Sequence, residues 1–81
     1  MGRSARERPR KLPAKLLKIR KRLGMSQTQM SKALDLTVHY AAISQFETGT
    51  REPSLIVLLR YARLARVPME TLVDDTMKLP K

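Results

Sequence analysis

Residues 26–49 read SQTQMSKALDLTVHYAAISQFETG, two short helical patterns on either side of a segment that forms helix poorly. In the first pattern, Ser26 can accept a hydrogen bond from the main-chain N–H of Gln29 while the Gln29 side chain reaches back, which is a capping box. The sequence therefore predicts a short helix that begins after Ser26. The residues expected on its buried face are Met30, Ala33 and Leu34.

The second pattern follows residues 35–39, which contain two β-branched residues and are expected to form a loop with Leu36 turned inward. Ile43 and Phe46 then restore the spacing of a helix. Gly49 is expected to end that helix, because glycine adopts a positive φ at little cost.

One helix is expected before this pair and two after it. Pro13 suits the first turn of a helix that ends at Gly24. Its apolar stripe comprises Leu12, Leu16, Ile19 and Leu23, and the basic residues largely off the stripe are Lys15, Lys18, Lys21 and Arg22. Ser54 is a good N-cap for a fourth helix, and Pro68 can begin a short fifth helix that ends at Leu72 or Val73. One face of the fourth helix carries Leu55, Leu58, Leu59, Ala62 and Ala65.

The predicted fold class is all-α, a compact bundle of five helices, since no strand pattern or repeat is present. With 81 residues, we expect one domain and no separate catalytic or sensing domain. The expected boundaries are a flexible basic arm at 1–11, a folded domain at 12–75 and a loose tail at 76–81.

The composition argues against several functions. The chain has no cysteine, and its single histidine has no carboxylate partner at ligand spacing, so we expect no metal and no cofactor. It offers no nucleophile–base set, so we do not expect an enzyme. Asp74 and Asp75 are expected to be helix-end or solvated residues. We expect core positions, and no cofactor pocket, at Met25, Met30 and Leu55.

No run approaches the ~18 apolar residues of a membrane span, and no signal peptide is evident, so a cytoplasmic, nucleoid-associated protein without membrane contact is expected. The net charge is +10, and residues 1–22 hold ten of the 17 basic residues but one of the seven acidic ones. Positive charge gathered in one region favours nucleic acid as the partner. Solubility alone is the alternative explanation.

Three stretches in order resemble the Cro/phage-repressor (XRE-like) helix-turn-helix family: LGMSQ at 23–27, ISQFETG at 43–49 and REPSL at 51–55. The resemblance covers residues 16–73. It implies a five-helix bundle whose second and third helices form the DNA-reading unit. Between Leu34 and Ile43 the chain is about two residues longer than a typical member, which alters the side chains that meet the bases.

The resemblance implies that the third helix, about residues 39–48, lies in the major groove. The candidate base contacts are His39, Tyr40, Ala41, Ser44 and Gln45. Gln45 can bond bidentately to adenine, the alternative being a solvated polar residue. Ala41 and Ala42 are small enough to approach a thymine methyl. Tyr40 can stack, bond a phosphate or pack internally.

Other family positions imply contacts to the DNA backbone. The candidates are Gln27, Thr28, Thr48, Thr50 and Arg51. For Arg51 the alternative is pairing with Glu52 or Glu47. Arg20 and Glu47 match positions that often form an ion pair between the first and third helices. The arm residues Arg3, Arg6, Arg8, Arg10 and Lys11 can enter the minor groove or tether phosphates, unless the first few were added in cloning.

The predicted function is sequence-specific binding of double-stranded DNA as a transcriptional regulator, expected to be a repressor. The alternative is a protein-interaction or antitoxin-like module with the same fold. An RNA partner is disfavoured because an aromatic stacking platform is lacking. A homodimer is expected, with no small-molecule ligand. Its candidate interface residues are Val67, Met69, Val73, Met77 and Leu79.

Overall fold

The computed structural model describes residues 8–35 and 40–80. Within those ranges the chain forms five helices and no strand. Their bounds are α1 Leu12–Arg22, α2 Gln27–Ala33, α3 Ala41–Thr48, α4 Leu55–Ala65 and α5 Met69–Val73. The prediction of an all-α bundle of five helices is confirmed. No helix of the described ranges is both long enough and apolar enough to span a bilayer.

The predicted signals at the helix ends are confirmed. Ser26 Oγ accepts from the Gln29 N–H at 3.1 Å, and the Gln29 side chain accepts from the Ser26 N–H at 2.8 Å. Ser54 Oγ accepts from the N–H three residues on, at 3.3 Å. Gly24 and Gly49 have φ of +69° and +81°, so each follows its helix in the left-handed region that favours glycine.

The helices share one apolar core. α1 packs against α3, α4 and α5, while α2 packs against α3. The largest side chains that are fully buried come from all five helices and the end of α2, namely Leu16, Met30, Leu34, Ile43, Tyr61 and Leu72. Because α1 lies behind α3, the core holds one side of α3 and leaves its other side at the surface.

The apolar stripes at the ends of two helices are less buried than expected. Leu55 is 69% exposed, so the expectation of a core residue there was wrong. It occupies the first position of α4, and the buried part of that helix begins only at Leu58. Leu23 is 38% exposed for a similar reason, since it follows the last residue of α1.

On two helices the buried residues differ slightly from those that the sequence predicted. Lys15 is buried with Leu12, Leu16 and Ile19, although its charge predicted an off-stripe position. On α2 the buried face uses Ser31 in place of Ala33, which is exposed.

The chain after α5 packs back on the bundle. Leu79 packs against the core, and the Arg22 guanidinium donates to the main-chain oxygen of Pro80. Leu79 and Pro80, which belong to the stretch expected to be a loose tail, therefore lie against the bundle. Val67 and Met69 also pack against the core, which leaves Val73 as the most exposed large side chain among the five candidate interface residues.

Candidate nucleic-acid interface

Helices α2 and α3 form the candidate interface, the α2–α3 unit. An ion pair between Arg20 on α1 and Glu47 on α3 joins this unit to the rest of the bundle. Arg20 Nε donates to Glu47 Oε2 at 2.7 Å, and the second guanidinium nitrogen, Nη2, donates to Oε1 at 3.1 Å. The remaining nitrogen donates to the Met25 carbonyl at 3.0 Å. The hydrogen bond to Glu47 raises the pKa of Arg20, and only 4% of the Glu47 side chain is exposed. These contacts fix α3 on α1 with both carboxylate oxygens occupied.

Gln27, the first residue of α2, joins the same group. Its side-chain nitrogen lies 3.4 Å from Glu47 Oε1, which is a long hydrogen bond. An amide nitrogen carries two N–H donors, so Gln27 can hold Glu47 and retain a donor for another acceptor. The side chain is half-buried, whereas Thr28 beside it is exposed.

The outer side of α3 is a continuous surface stripe, which is polar apart from its first residue, Ala41, and is called the polar stripe. Ala41, Gln45 and Thr48 are exposed and Ser44 is half-buried, a spacing of three, four and seven residues that places them on one helix face. Ala42 is buried, so the expectation that it approaches a thymine methyl was wrong. Tyr40 precedes the stripe and is 50% exposed.

A tight turn follows α3 and presents further polar side chains. Thr48 Oγ1 and Thr50 Oγ1 are 3.0 Å apart, and the Arg51 N–H donates to the Gln45 carbonyl at 3.2 Å. The side chains of Thr50 and Arg51 are exposed. A Cβ on Gly49 would lie 3.3 Å from Pro13 Cγ, so this turn is in close contact with the start of α1.

The start of the α2–α3 connection is fixed by a residue that sequence analysis missed. Arg60 on α4 donates to the main-chain oxygens of Leu34 and Asp35 at 3.0 and 3.2 Å, and Asp35 has a φ of +54°. The guanidinium thereby satisfies carbonyls at the end of α2. No local pattern identifies Arg60, because its partners lie on a different helix.

The candidate residues of the arm and of the loop are only partly described. Arg8, Arg10 and Lys11 are exposed. Four of the residues singled out in the sequence lie outside the described ranges, namely Arg3, Arg6, Leu36 and His39. Within the described ranges, no three His, Cys, Asp or Glu side chains come together in a way that could hold a metal ion.

Comparison with known proteins extends over most of the chain. A helix-turn-helix family model matches residues 16–72, from within α1 to within α5. No curated protein matches. Among solved structures, the P22 c2 repressor, crystallised with a synthetic operator in the presence of Tl+, is similar in fold with a TM-score of 0.70 and 23% sequence identity. The match covers 79% of this chain and 94% of the repressor chain.

Proposed function

Because the chain belongs to the helix-turn-helix family of Cro and phage-type repressors, we propose that it binds specific sequences of double-stranded DNA and regulates transcription as a repressor in the nucleoid. The observation that carries this proposal is the polar stripe of α3, which lies opposite the buried side of that helix. The operator complex of the P22 c2 repressor supports it by analogy of fold.

The polar stripe suits the major groove of a duplex. Gln45 can bond bidentately to the N6 and N7 atoms of adenine, a contact that discriminates by about 1–3 kcal/mol against other bases. Ser44 can bond to several base edges, and the Ala41 methyl leaves room for a close approach. Tyr40, at the end of α3 that would enter the groove first, can contact a base or a phosphate.

The surroundings of the stripe suit the phosphate backbone. Gln27 and Thr28 lie at one end of the unit, and Thr48, Thr50 and Arg51 lie at the other. Glu47 is the one carboxylate within α3, and its pairing with Arg20 and burial remove the repulsion that a phosphate would otherwise meet. The ion pair therefore allows an acidic residue to stand beside a DNA-binding face.

We propose that two copies bind together, because one such unit reads only a short site and related geometries use symmetric pairs. Leu55 and Ile56 are the two most exposed large apolar residues of the described ranges, and they directly follow the turn that carries Arg51. We propose that the two copies contact each other through this pair. Sedimentation equilibrium of Ile56→Lys tests this, since unchanged self-association would contradict it.

The test of the function is selection from a random duplex library at about 150 mM salt, near the physiological range. The winning duplex is then compared with a scrambled duplex of equal length. We expect an enriched palindrome that is bound at least ~10³-fold more tightly than the scrambled duplex. Absence of any enriched sequence, with binding that only declines with salt, would contradict the proposal.

A further inference from the structure

The carboxylate of Asp75, two residues beyond α5, holds the main chain just before α1. Asp75 Oδ2 accepts from the Arg10 N–H and Oδ1 from the Lys11 N–H, each at 3.0 Å. These bonds from Lys11 and Arg10 hold the pKa of Asp75 below its usual range, so the group is ionised at neutral pH and the bonds are charge-assisted.

This contact replaces a feature that α1 lacks. Neither a capping side chain from Lys11 nor an acidic residue in the first turn is present in α1. A carboxylate is favoured at that end of a helix because the unpaired N–H groups there carry partial positive charge. Asp75 supplies the charge from 64 residues away along the chain.

The segment before α1, residues 8–11, lies beside Arg51, which is the proposed contact to the DNA backbone. Arg8 and Pro9 line one small surface hollow together with Gly49, Arg51 and Glu52. The residues that line this hollow therefore include two arginines and one glutamate, which gives the lining a formal net charge of +1. Phosphate contact by Arg51 would place the same backbone within reach of Arg8.

We propose that Asp75 is a positioning residue for DNA binding: it holds Arg10 and Lys11 so that Arg8 is presented beside Arg51 on one phosphate-binding surface. This inference rests on the proposed function, because it assigns to Asp75 a role in the same DNA contact.

The proposal and general charge attraction predict opposite effects on DNA affinity when the negative charge of Asp75 is removed. Asp75→Asn removes one negative charge, which by general attraction would strengthen binding to DNA. If Asp75 positions Arg8, the same substitution weakens binding, because one phosphate contact is lost. Asp74→Asn is the matched control: it removes an equal charge from the neighbouring residue, whose side chain accepts from Thr76 and not from the segment before α1.

The experiment measures affinity for the selected duplex between about 50 and 200 mM salt, for the whole chain. We expect Asp75→Asn to bind about tenfold more weakly, with the slope of log K against log salt reduced by about 0.9, while Asp74→Asn binds as well as the wild type or better. Arg8→Gln should give the same loss alone and no further loss in the Asp75→Asn background, because both remove one contact.

Two results would overturn the proposal. One is Asp75→Asn binding at least as tightly as Asp74→Asn; the other is Arg8→Gln and Asp75→Asn losses that simply add. Either leaves the proposed function intact, since the wild type still binds its duplex. Failure of the wild type to prefer any duplex would instead overturn the proposed function and this inference with it. Thermal unfolding of each variant excludes loss of fold as the cause.

Discussion

The Lys15 ammonium of α1 lies 2.7 Å from the main-chain oxygen of Thr71 in α5, inside the bundle. The same ammonium donates to the Asp74 carbonyl at 3.0 Å. Lys15 thus satisfies the Thr71 carbonyl at the end of α5, and it shares the Asp74 carbonyl with the Met77 N–H, which donates to it at 3.0 Å. The Lys15 ammonium lies at the C-terminal end of α5, and the Asp75 carboxylate lies at the N-terminal end of α1. Each charge is favourable at its helix end, and the two contacts together join the start of α1 to the end of α5.

Lys15→Met should destabilise the protein. The substitution keeps the apolar length of the side chain but removes both hydrogen bonds from a charged donor, at a cost of about 1.5–3 kcal/mol. Lys18→Met, at an exposed position of the same helix, is the control and should change stability by less than about 0.5 kcal/mol. Urea unfolding measures both. Equal stability of the two variants would show that the Lys15 bonds contribute nothing.

Loss of one partner from the Arg20–Glu47 pair should be more costly. Arg20→Met leaves the Glu47 carboxylate buried without its cation, and we expect a loss of about 3–5 kcal/mol in the free energy of unfolding. Lys21→Met alters an exposed neighbour on α1 and serves as the control. A loss below about 1 kcal/mol would be typical of an exposed ion pair and would contradict the account of a buried one.

The two glycines that follow α1 and α3 should differ in their response to alanine. Gly24→Ala strains a positive φ but meets nothing within 4 Å, so we expect a loss of about 1 kcal/mol. Gly49→Ala adds the approach to Pro13 Cγ at 3.3 Å and should lose more. Thermal unfolding of the pair decides this; a smaller loss at Gly49 would refute the close contact between the turn and α1.

Tyr61→Phe should leave the protein at least as stable as the wild type. Tyr61 is fully buried, its hydroxyl oxygen has no hydrogen-bond partner among the residues that the structure describes, and burial raises the pKa of the phenol. An unsatisfied buried hydroxyl costs about 1–3 kcal/mol, which phenylalanine does not incur. Urea unfolding should therefore show a gain of about 1 kcal/mol. A clear loss would mean that the hydroxyl is bonded in solution.

Local chemistry explains the features that the sequence predicted. The capping box at Ser26, the N-cap at Ser54 and the glycine at each of two helix ends act within a few residues, so a pattern of neighbours identifies them. The buried sides of the helices largely followed from spacing; the exceptions are Leu55, at the first position of α4, and α2, where Ser31 is buried in place of Ala33.

The contacts that the sequence did not predict join distant parts of the chain. Asp75 and Arg60 each bond to main-chain groups of another element. Main-chain groups are common to nearly all residue types, so the sequence does not indicate which of them bond to these side chains. Lys15 has the spacing of a buried residue on α1, but its charge argued for an exposed one. Only the approach of α5 shows why an ammonium can be buried there.

In the proposed complex, α3 reads bases while the turn after it holds the DNA backbone. The most direct test is the affinity of the wild type, Gln45→Ala and Arg51→Gln for the selected and the scrambled duplex over a range of salt. Arg63→Gln, an exposed charge change in the last turn of α4, is the control. We predict that Gln45→Ala weakens only the selected duplex, by about 1–3 kcal/mol, and that Arg51→Gln weakens both and lowers the salt slope by about 0.9. Equal effects of Gln45→Ala on both duplexes, or none on either, would contradict the claim.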